Sequence, residues 1–552
     1  MATPSYTEDL TDLNAAESNS GWVELTGSIG GESYNANGTP AGGDGDYPFI
    51  QGNYAVTQDC TKNTSVGSLA YNNGSGTGGH GTDGAYFVWQ NFMVASNIGT
   101  YAQGGFQIAV GSSTSDFKVW YVGGVDKAPY PYGGWINSVV NTTVTADGTA
   151  GSPTGTEQYI GSAVYILVGP QKGEVHNCDI IRYGRGSAIF EFGESSNYCT
   201  IPGFAAQNDN STNRWGLIQE TSGGYLWKGR MQLGTATNAV DFRDSARIIF
   251  IQWTPKVTAN FNTIEIINAS SNIEMTGFQF ICLDPANTAS KGRWITTDDA
   301  TVALDSCTFI DMDTFTFDSN TTATDCTFQN CAQIDPGGGD ISRALISKST
   351  VAADKGAVYW NDSADPNTSI DGVTFIMGSN AHHAIEFGSS APTTINLTDM
   401  TFTGFNTSDG QNDSVLLFPD TGSDITWTVQ HTGTTGTLSY KKVRTGDTVT
   451  ISSSVTVTIT VKDASGALVS GAQTAVYKTS DRTQIMNKDT VAGVATENYT
   501  GTTPVEVEVR CRKASSADSP RFINFSSIQT IGTDGLTFAV TLIEDTNNNA
   551  TT

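Results

Sequence analysis

Positive charge is scarce in this chain: 28 Lys and Arg stand against 55 Asp and Glu in 552 residues, a net charge of −27. A polyanion would meet repulsion instead of releasing counterions. Nucleic acid and anionic membrane surfaces are therefore not expected as partners, and the charge reads as a solubility device. Long apolar runs are missing as well. Nothing approaches the ~18 consecutive apolar residues that span a bilayer. The start, MATPSYTEDLTDLNAAESNSGW, is acidic and has no apolar h-region, so no secretory signal is expected. The eight cysteines show no paired C-x-x-C spacing and are too sparse for a disulfide scaffold, so reduced, mostly buried thiols are expected.

Charged residues make up only 15% of the chain, glycine numbers 60, and the Ala/Leu/Glu/Lys richness of a helical protein is absent. What is present is alternation. Runs such as VTVTITV (455–461) and VEVEVRC (505–511) place apolar residues at every second position, the pattern of half-buried strands. The chain is expected to be all-β.

A short phrase recurs: DSCTFIDMD at 305–313, TDCTFQNC at 324–331, then, loosened, DGVTFIMG at 371–378 and TDMTFTGF at 398–405. Its phenylalanines, Phe280, Phe309, Phe328, Phe375 and Phe402, are separated by 29, 19, 47 and 27 residues. Steps of about 20 to 30 fit one coil of a solenoid, and the long step fits two coils if ALISKSTV at 344–351 is a degenerate rung. In a strand Cys307 and Phe309 share one face and Thr308 the other, as do Cys326 and Phe328 against Thr327. Stacked about 4.8 Å apart, these positions form interior ladders of Cys and Phe with threonine outside.

On these residues, roughly 240 to 425 resembles the right-handed parallel β-helix of pectate-lyase-like proteins and phage tailspikes. The resemblance implies an inward, turning asparagine at Asn330. Asp311, Met377 and Gly404 occupy the matching positions in other coils, so no uniform asparagine ladder is expected. GEVHNCDIIRYGRGSAIFEFG (173–193) has the same character and moves the expected start of the solenoid upstream. Residues 21–170, rich in Gly, Tyr and Trp with short strands such as GAYFVWQNFMVA, resemble the jelly-roll or laminin-G sandwiches of phage structural proteins. VTVTITVKDASGALVSGAQTAVYKT resembles the opening hairpin of the carboxypeptidase-regulatory, prealbumin-like sandwich. The expected organisation is an N-terminal arm at 1–20, an antiparallel sandwich at 21–170, a parallel β-helix at 171–450, an Ig-like sandwich at 451–545 and a polar tail at 546–552.

Motifs for chemistry are weak. GGHGTDG at 78–84 looks like a protease histidine motif, but no matching serine or aspartate block accompanies it, and His80 reads as part of a flexible loop. Asp44 and Asp46 in GGDGD do not complete a calcium loop. No metal and no cofactor are expected. Asp311 and Asp313 are two residues apart, so in a strand their Cα atoms lie about 6.5 to 7 Å apart on one face, a separation glycosidases use. They share the phase of Cys307 and Phe309, so a continuing strand would bury both. A turn at 311 with both on a solvated corner is the expectation. Tyr359, Trp360 and Asp362 are candidates for contact with a sugar face.

The resemblances imply a non-enzymatic bacteriophage virion protein, a tail fibre, spike or other appendage, with capsid decoration as a further role. Its expected partners are other virion proteins, host surface glycan and further copies of itself, as a trimer. The alternative is a tailspike depolymerase using Asp311 and Asp313.

Overall fold

The computed structural model describes residues 2–14, 21–25, 33–36, 56–59, 66–78, 84–92, 97–127, 136–165, 175–209, 216–297, 299–501, 504–514, 520–532 and 535–546. The chain is all-β and divides into two compact units. The first holds residues 1–352, 357–359 and 378–380; the second holds 353–356, 360–377 and 381–552.

The first unit opens with antiparallel pairing. One sheet runs Gly148–Ala150, Phe117–Gly123, Phe106–Gly111, Thr156–Tyr165, Val66–Gly78 and Trp22–Val23 in spatial order. Ala85–Phe92 lies between Ile136–Val140 and the long strand Val175–Glu191, antiparallel to both. Residues 5–14, assigned from sequence to an arm, form a strand instead, paired antiparallel with that long strand from Ser5↔Glu191 to Asn14↔Ile181. Its side chains find partners on the long strand and beside it. Arg182, almost fully buried, binds Glu8 at 2.8 Å and Asp12 at 2.6 Å, and Tyr6 packs edge-on against Phe190 and Phe204. A strand that looks polar is thus seated by Tyr6 in the aromatic core and by hydrogen bonding to buried Arg182, beside which burial raises the Glu8 carboxyl pKa to about 8.

Val175–Glu191 is also where parallel pairing begins. Its residues 187–190 pair in parallel with Arg230–Leu233, which is followed by Thr263–Ile266, Arg293–Thr296, Phe315–Thr316 and Ile334–Asp335. A second parallel sheet runs Asp241–Ser245, Asn272–Thr276, Thr301–Asp305 and Thr321–Thr324. A third runs Gly224–Trp227, Ile248–Ile251, Gln279–Cys282, Thr308–Ile310, Thr327–Gln329 and Leu345–Ser347. From Arg230 to Gln329 the chain visits the first, second and third sheets in turn, so each of four circuits lays one strand on each.

Register is residue on residue. Phe280 pairs with Phe309 and Phe309 with Phe328, and their rings stack at 5.5 and 5.1 Å. Phe328 then meets Ile346 in the degenerate segment. Each buried ring contributes roughly 1.5–3 kcal/mol by area, with stacked pairs adding about 0.5–1.5 kcal/mol. Cys307 and Cys326 lie in the interior one position before the threonine, their thiols donating to the carbonyls of Met275 and Leu304.

Between the second and third sheets the chain bends on a single left-handed residue: Gly277, Ser306, Asp325 and Arg343, with φ of 65°, 54°, 57° and 58°. The residue after each of these bends, Phe278, Cys307, Cys326 or Ala344, is buried; Ala246, with φ of 55°, makes the same bend one circuit earlier and is followed by half-buried Arg247. The ladder continues through the bends, since the amides of Gly277, Ser306 and Asp325 donate to Asp305, Thr324 and Ser342 of the next circuit. One αL residue turns the strand without breaking the stitching between circuits.

The second unit repeats the scheme. His383–Phe387, Leu416–Phe418 and Tyr440–Lys442 are parallel, as are Thr374–Ile376 with Thr401–Thr403, and Thr394–Thr398, Thr426–Thr432 and Thr448–Ser453. Phe375 stacks on Phe402 at 5.5 Å and Phe387 on Phe418 at 5.3 Å. Thr448–Ser453 still belongs to this stack, so the boundary falls at Ser454, a little later than the expected 450. Beyond it, Val494–Tyr499, Val455–Asp463 and Leu536–Leu542 make one sheet, and Gln484–Asp489, Gln473–Lys478, Val505–Arg512 and Phe525–Ile531 another. Val457, Ile459 and Val461 bury their side chains in one core with Val476, Val507 and Val509 of the other sheet.

Candidate binding surfaces

The left-handed bend decides the fate of the carboxylate pair. Thr308–Ile310 ends at Asp311, whose φ of 59° turns the chain and resets the alternation. Met312 takes the interior position, and Asp311 and Asp313 are both half-buried at the corner. The chain turns at 311, but the corner is less open to water than the sequence suggested. Burial raises the pKa of the Asp313 carboxyl, and Lys291 and Arg293 partly oppose the shift. Asn330, expected to turn inward, is itself a left-handed residue of the same corner one circuit on, with φ of 54°, and is half-buried.

The aromatic loop turns its indole inward. Trp360 is 1% exposed and its indole N–H donates to the carbonyl of Ala364, so the ring fills the interior of its own unit. Asp362 accepts from the amide of Ala364 at 2.7 Å and serves the turn. Tyr359 is half-buried. A ring read from sequence as presented to solvent lies on the inward phase of Gly356–Trp360, where four of five residues are buried. The ladder residues Phe280, Phe309, Phe328, Phe375 and Phe402 are all core. His80, Asp44 and Asp46 lie outside the described residues. Among the described residues no group of three His, Cys, Asp or Glu is placed to hold a metal ion.

A polar groove forms where the sequence, at Arg510, Arg512 and Lys513, suggests only a solvated basic strand face. On the outward face of the four-stranded sheet, Gln473, Tyr477, Asn487, Glu508, Arg510, Arg512 and Ser526 line a groove of about 540 Å³. Inward Val507, Val509 and Cys511 force Glu508, Arg510 and Arg512 outward on one strand, and neighbouring strands supply the rest. Glu508 accepts two hydrogen bonds from Arg510 at 2.9 and 3.0 Å, one from Ser526 at 2.7 Å and another from Arg482. These donors lower its carboxyl pKa to about 2, with Arg510 first among the causes. Arg510 also lies 5.7 Å from the centre of the Tyr477 ring. Beside them Arg512 donates to Gln473, and Gln473 donates to Asn487 at 3.0 Å.

No protein-family model and no curated protein matches this chain.

The groove therefore has to be read from its own chemistry. Its side chains are fixed by one another, and Arg510 and Arg512 outnumber the single carboxylate, Glu508. Such an array suits recognition of hydroxyl and acidic groups. The sequence signal was available: the outward phase of VEVEVRCR alternates acid and base, which is hard to separate from an ordinary solvated strand face without knowing the neighbouring strands.

Proposed function

We propose that this protein is a non-enzymatic structural component of a bacteriophage virion, a tail fibre, spike or related appendage. In this reading the parallel stack is a right-handed β-helix serving as a rigid spacer, flanked by an antiparallel sandwich and an Ig-like sandwich that dock to neighbours or to the host surface. One observation carries it: the residue-on-residue register of the third parallel sheet, from Gly224–Trp227 to Leu345–Ser347. Each circuit is hydrogen-bonded to the next, so stiffness is supplied continuously, as a spacer requires. The groove around Tyr477 and Arg512 is the docking face this reading assigns to the C-terminal domain, with capsid decoration as the other position such a spacer fits.

The test is location. Mass spectrometry of density-banded phage particles should find the chain in them, and antibody labelling should place it on an appendage. Recovery only from the unassembled fraction of infected cells would overturn the proposal.

A second reading, depolymerisation of host glycan, draws on the half-buried Asp311 and Asp313 at one corner, with burial raising the carboxyl pKa of Asp313 as a general acid requires. New reducing ends from host capsule or lipopolysaccharide, lost in Asp313→Asn, would establish it.

A further inference from the structure

The C-terminal domain differs from the rest of the chain in charge and in exposed apolar surface. Residues 1–454 carry 20 Lys and Arg against 45 Asp and Glu, whereas residues 455–552 carry eight against ten. The same small domain holds four strongly exposed aliphatic side chains at one end: Leu468, Val491, Ile523 and Ile543, exposed by 53%, 78%, 53% and 61%.

Their placement follows from the strand pairing. Val455–Asp463 runs away from its entry at Val455, and its last residue, Asp463, pairs with Leu542. Ile543 follows, and its carbonyl accepts the amide of Ile523 at 2.8 Å. On the other side of the central strand Leu468 bridges Lys462 and packs on Gly493, whose carbonyl accepts the amide of Val461. Val491 belongs to that same turn through its bridge to Val494. All four side chains thus crown the end of the domain opposite Val455.

The crown is pre-shaped. The Asp463 carboxylate accepts the amides of Ser465 and Ala467 at 2.8 and 2.9 Å, which fixes the turn that presents Leu468. Arg521 pairs with Asp545 beside Ile523 and Ile543. Lys488, in the strand that leads to Val491, is likewise paired, with Glu497 at 3.1 Å. A contact made here loses little conformational freedom and joins the part of the chain whose charges are closest to balance.

We propose that this crown is a self-association surface, whose occupant is the same crown on a second copy of the chain. Two copies of a strongly acidic molecule repel over most of their surfaces, but least where this nearly balanced domain presents its apolar end, and joining two such ends removes four aliphatic side chains per copy from water. A closed contact of like on like is the arrangement that lets one patch serve as both partners. The end of a small sandwich offers less than the ~800 Å² per partner of a standard interface, so the association is reversible and set by concentration.

Sedimentation equilibrium of the full chain across a range of concentrations, near 50 mM and near 500 mM salt, tests this. Association is expected, and it should tighten with salt as the repulsion of the acidic remainder is screened. Val491→Asp and Ile543→Asp should each weaken it about tenfold or more, with unchanged circular dichroism because both side chains are already exposed. Ile528→Asp, which alters an exposed aliphatic of the same domain away from the crown, should leave it unchanged. A chain monomeric throughout, or association untouched by the crown variants, overturns the proposal. Association seen only after deletion of residues 547–552 would give the surface to that tail and overturn it too.

Discussion

In the parallel stack a buried phenylalanine meets its own equivalent one circuit away: Phe309 lies between Phe280 and Phe328, with Trp294 and Phe315 edge-on beside it. In the C-terminal domain a buried valine meets unlike residues from distant segments, and the first strand, Val455–Asp463, pairs with the last, Leu536–Leu542. The stack is built from contacts between neighbouring circuits, whereas the domain is closed only when its two ends come together. Damage should therefore spread differently. In the stack it should decay over one or two circuits, and in the domain it should be shared by every strand.

The largest effect is expected at the centre of the ladder. Phe309→Asp replaces an interior ring by an unpaired carboxylate and should abolish soluble folded protein. The milder Phe309→Ala should cost about 3–5 kcal/mol. Hydrogen exchange should then rise around Phe280 and Phe328 while Ile459 stays protected; loss of protection at Ile459 as well would break the comparison. Next in size, Ile459→Ala should cost about 2–4 kcal/mol. Here protection should fall together in Val455–Asp463, Val505–Arg512 and Leu536–Leu542, with the ladder unchanged.

Acid gives a subtler contrast, because Glu508 in the domain and Asp335 in the stack titrate in opposite directions. Glu508 has its carboxyl pKa lowered to about 2 from an ordinary 4.5, so its hydrogen bonds stabilise the domain above 4.5 and are lost as pH falls from there towards 2. Unfolding of Glu508→Gln followed against pH should lack that loss. In the stack, burial raises the carboxyl pKa of Asp335 above its ordinary 3.8. The stability linked to its protonation is present below 3.8 and lost as pH rises through the folded value. Asp335→Asn should be the more stable protein at pH 7 and converge with its parent below 3.8; a gap that persists in acid would show that burial of charge is not the cause.

The smallest change should be favourable. Ala246 holds a left-handed φ of 55° before the strand Ile248–Ile251. Ala246→Gly relieves that strain, offset by the freedom glycine gains when unfolded, and should stabilise by up to about 1 kcal/mol in a denaturant titration.

The ladder was legible because strand parity needs only two-residue memory: once Cys307, Phe309, Cys326 and Phe328 are set side by side, their shared face follows. The bends were not, because the residues that make them, Ala246, Ser306, Asp325 and Arg343, have no common chemistry, and what they share is a backbone angle. The pairing of Ser5–Asn14 was hidden for a different reason: Glu8 and Asp12 look like solvated charges until Arg182, some 170 residues on, is brought beneath them. The C-terminal groove failed in the same way. Glu508 and Arg510 are visible on one strand, but Tyr477, Asn487 and Ser526 come from three others.

The left-handed bend also bears on how such a chain can change over generations. Each circuit carries its own bend, its own inward residue and its own ladder position, and asks of its neighbours only that they present the same. A duplicated or deleted circuit would join its new neighbours through contacts of a kind the stack already makes. Length is then a property that recombination can alter in whole steps without redesign of the core, whereas the domain beyond Ser454, closed by its own two ends, admits no such step.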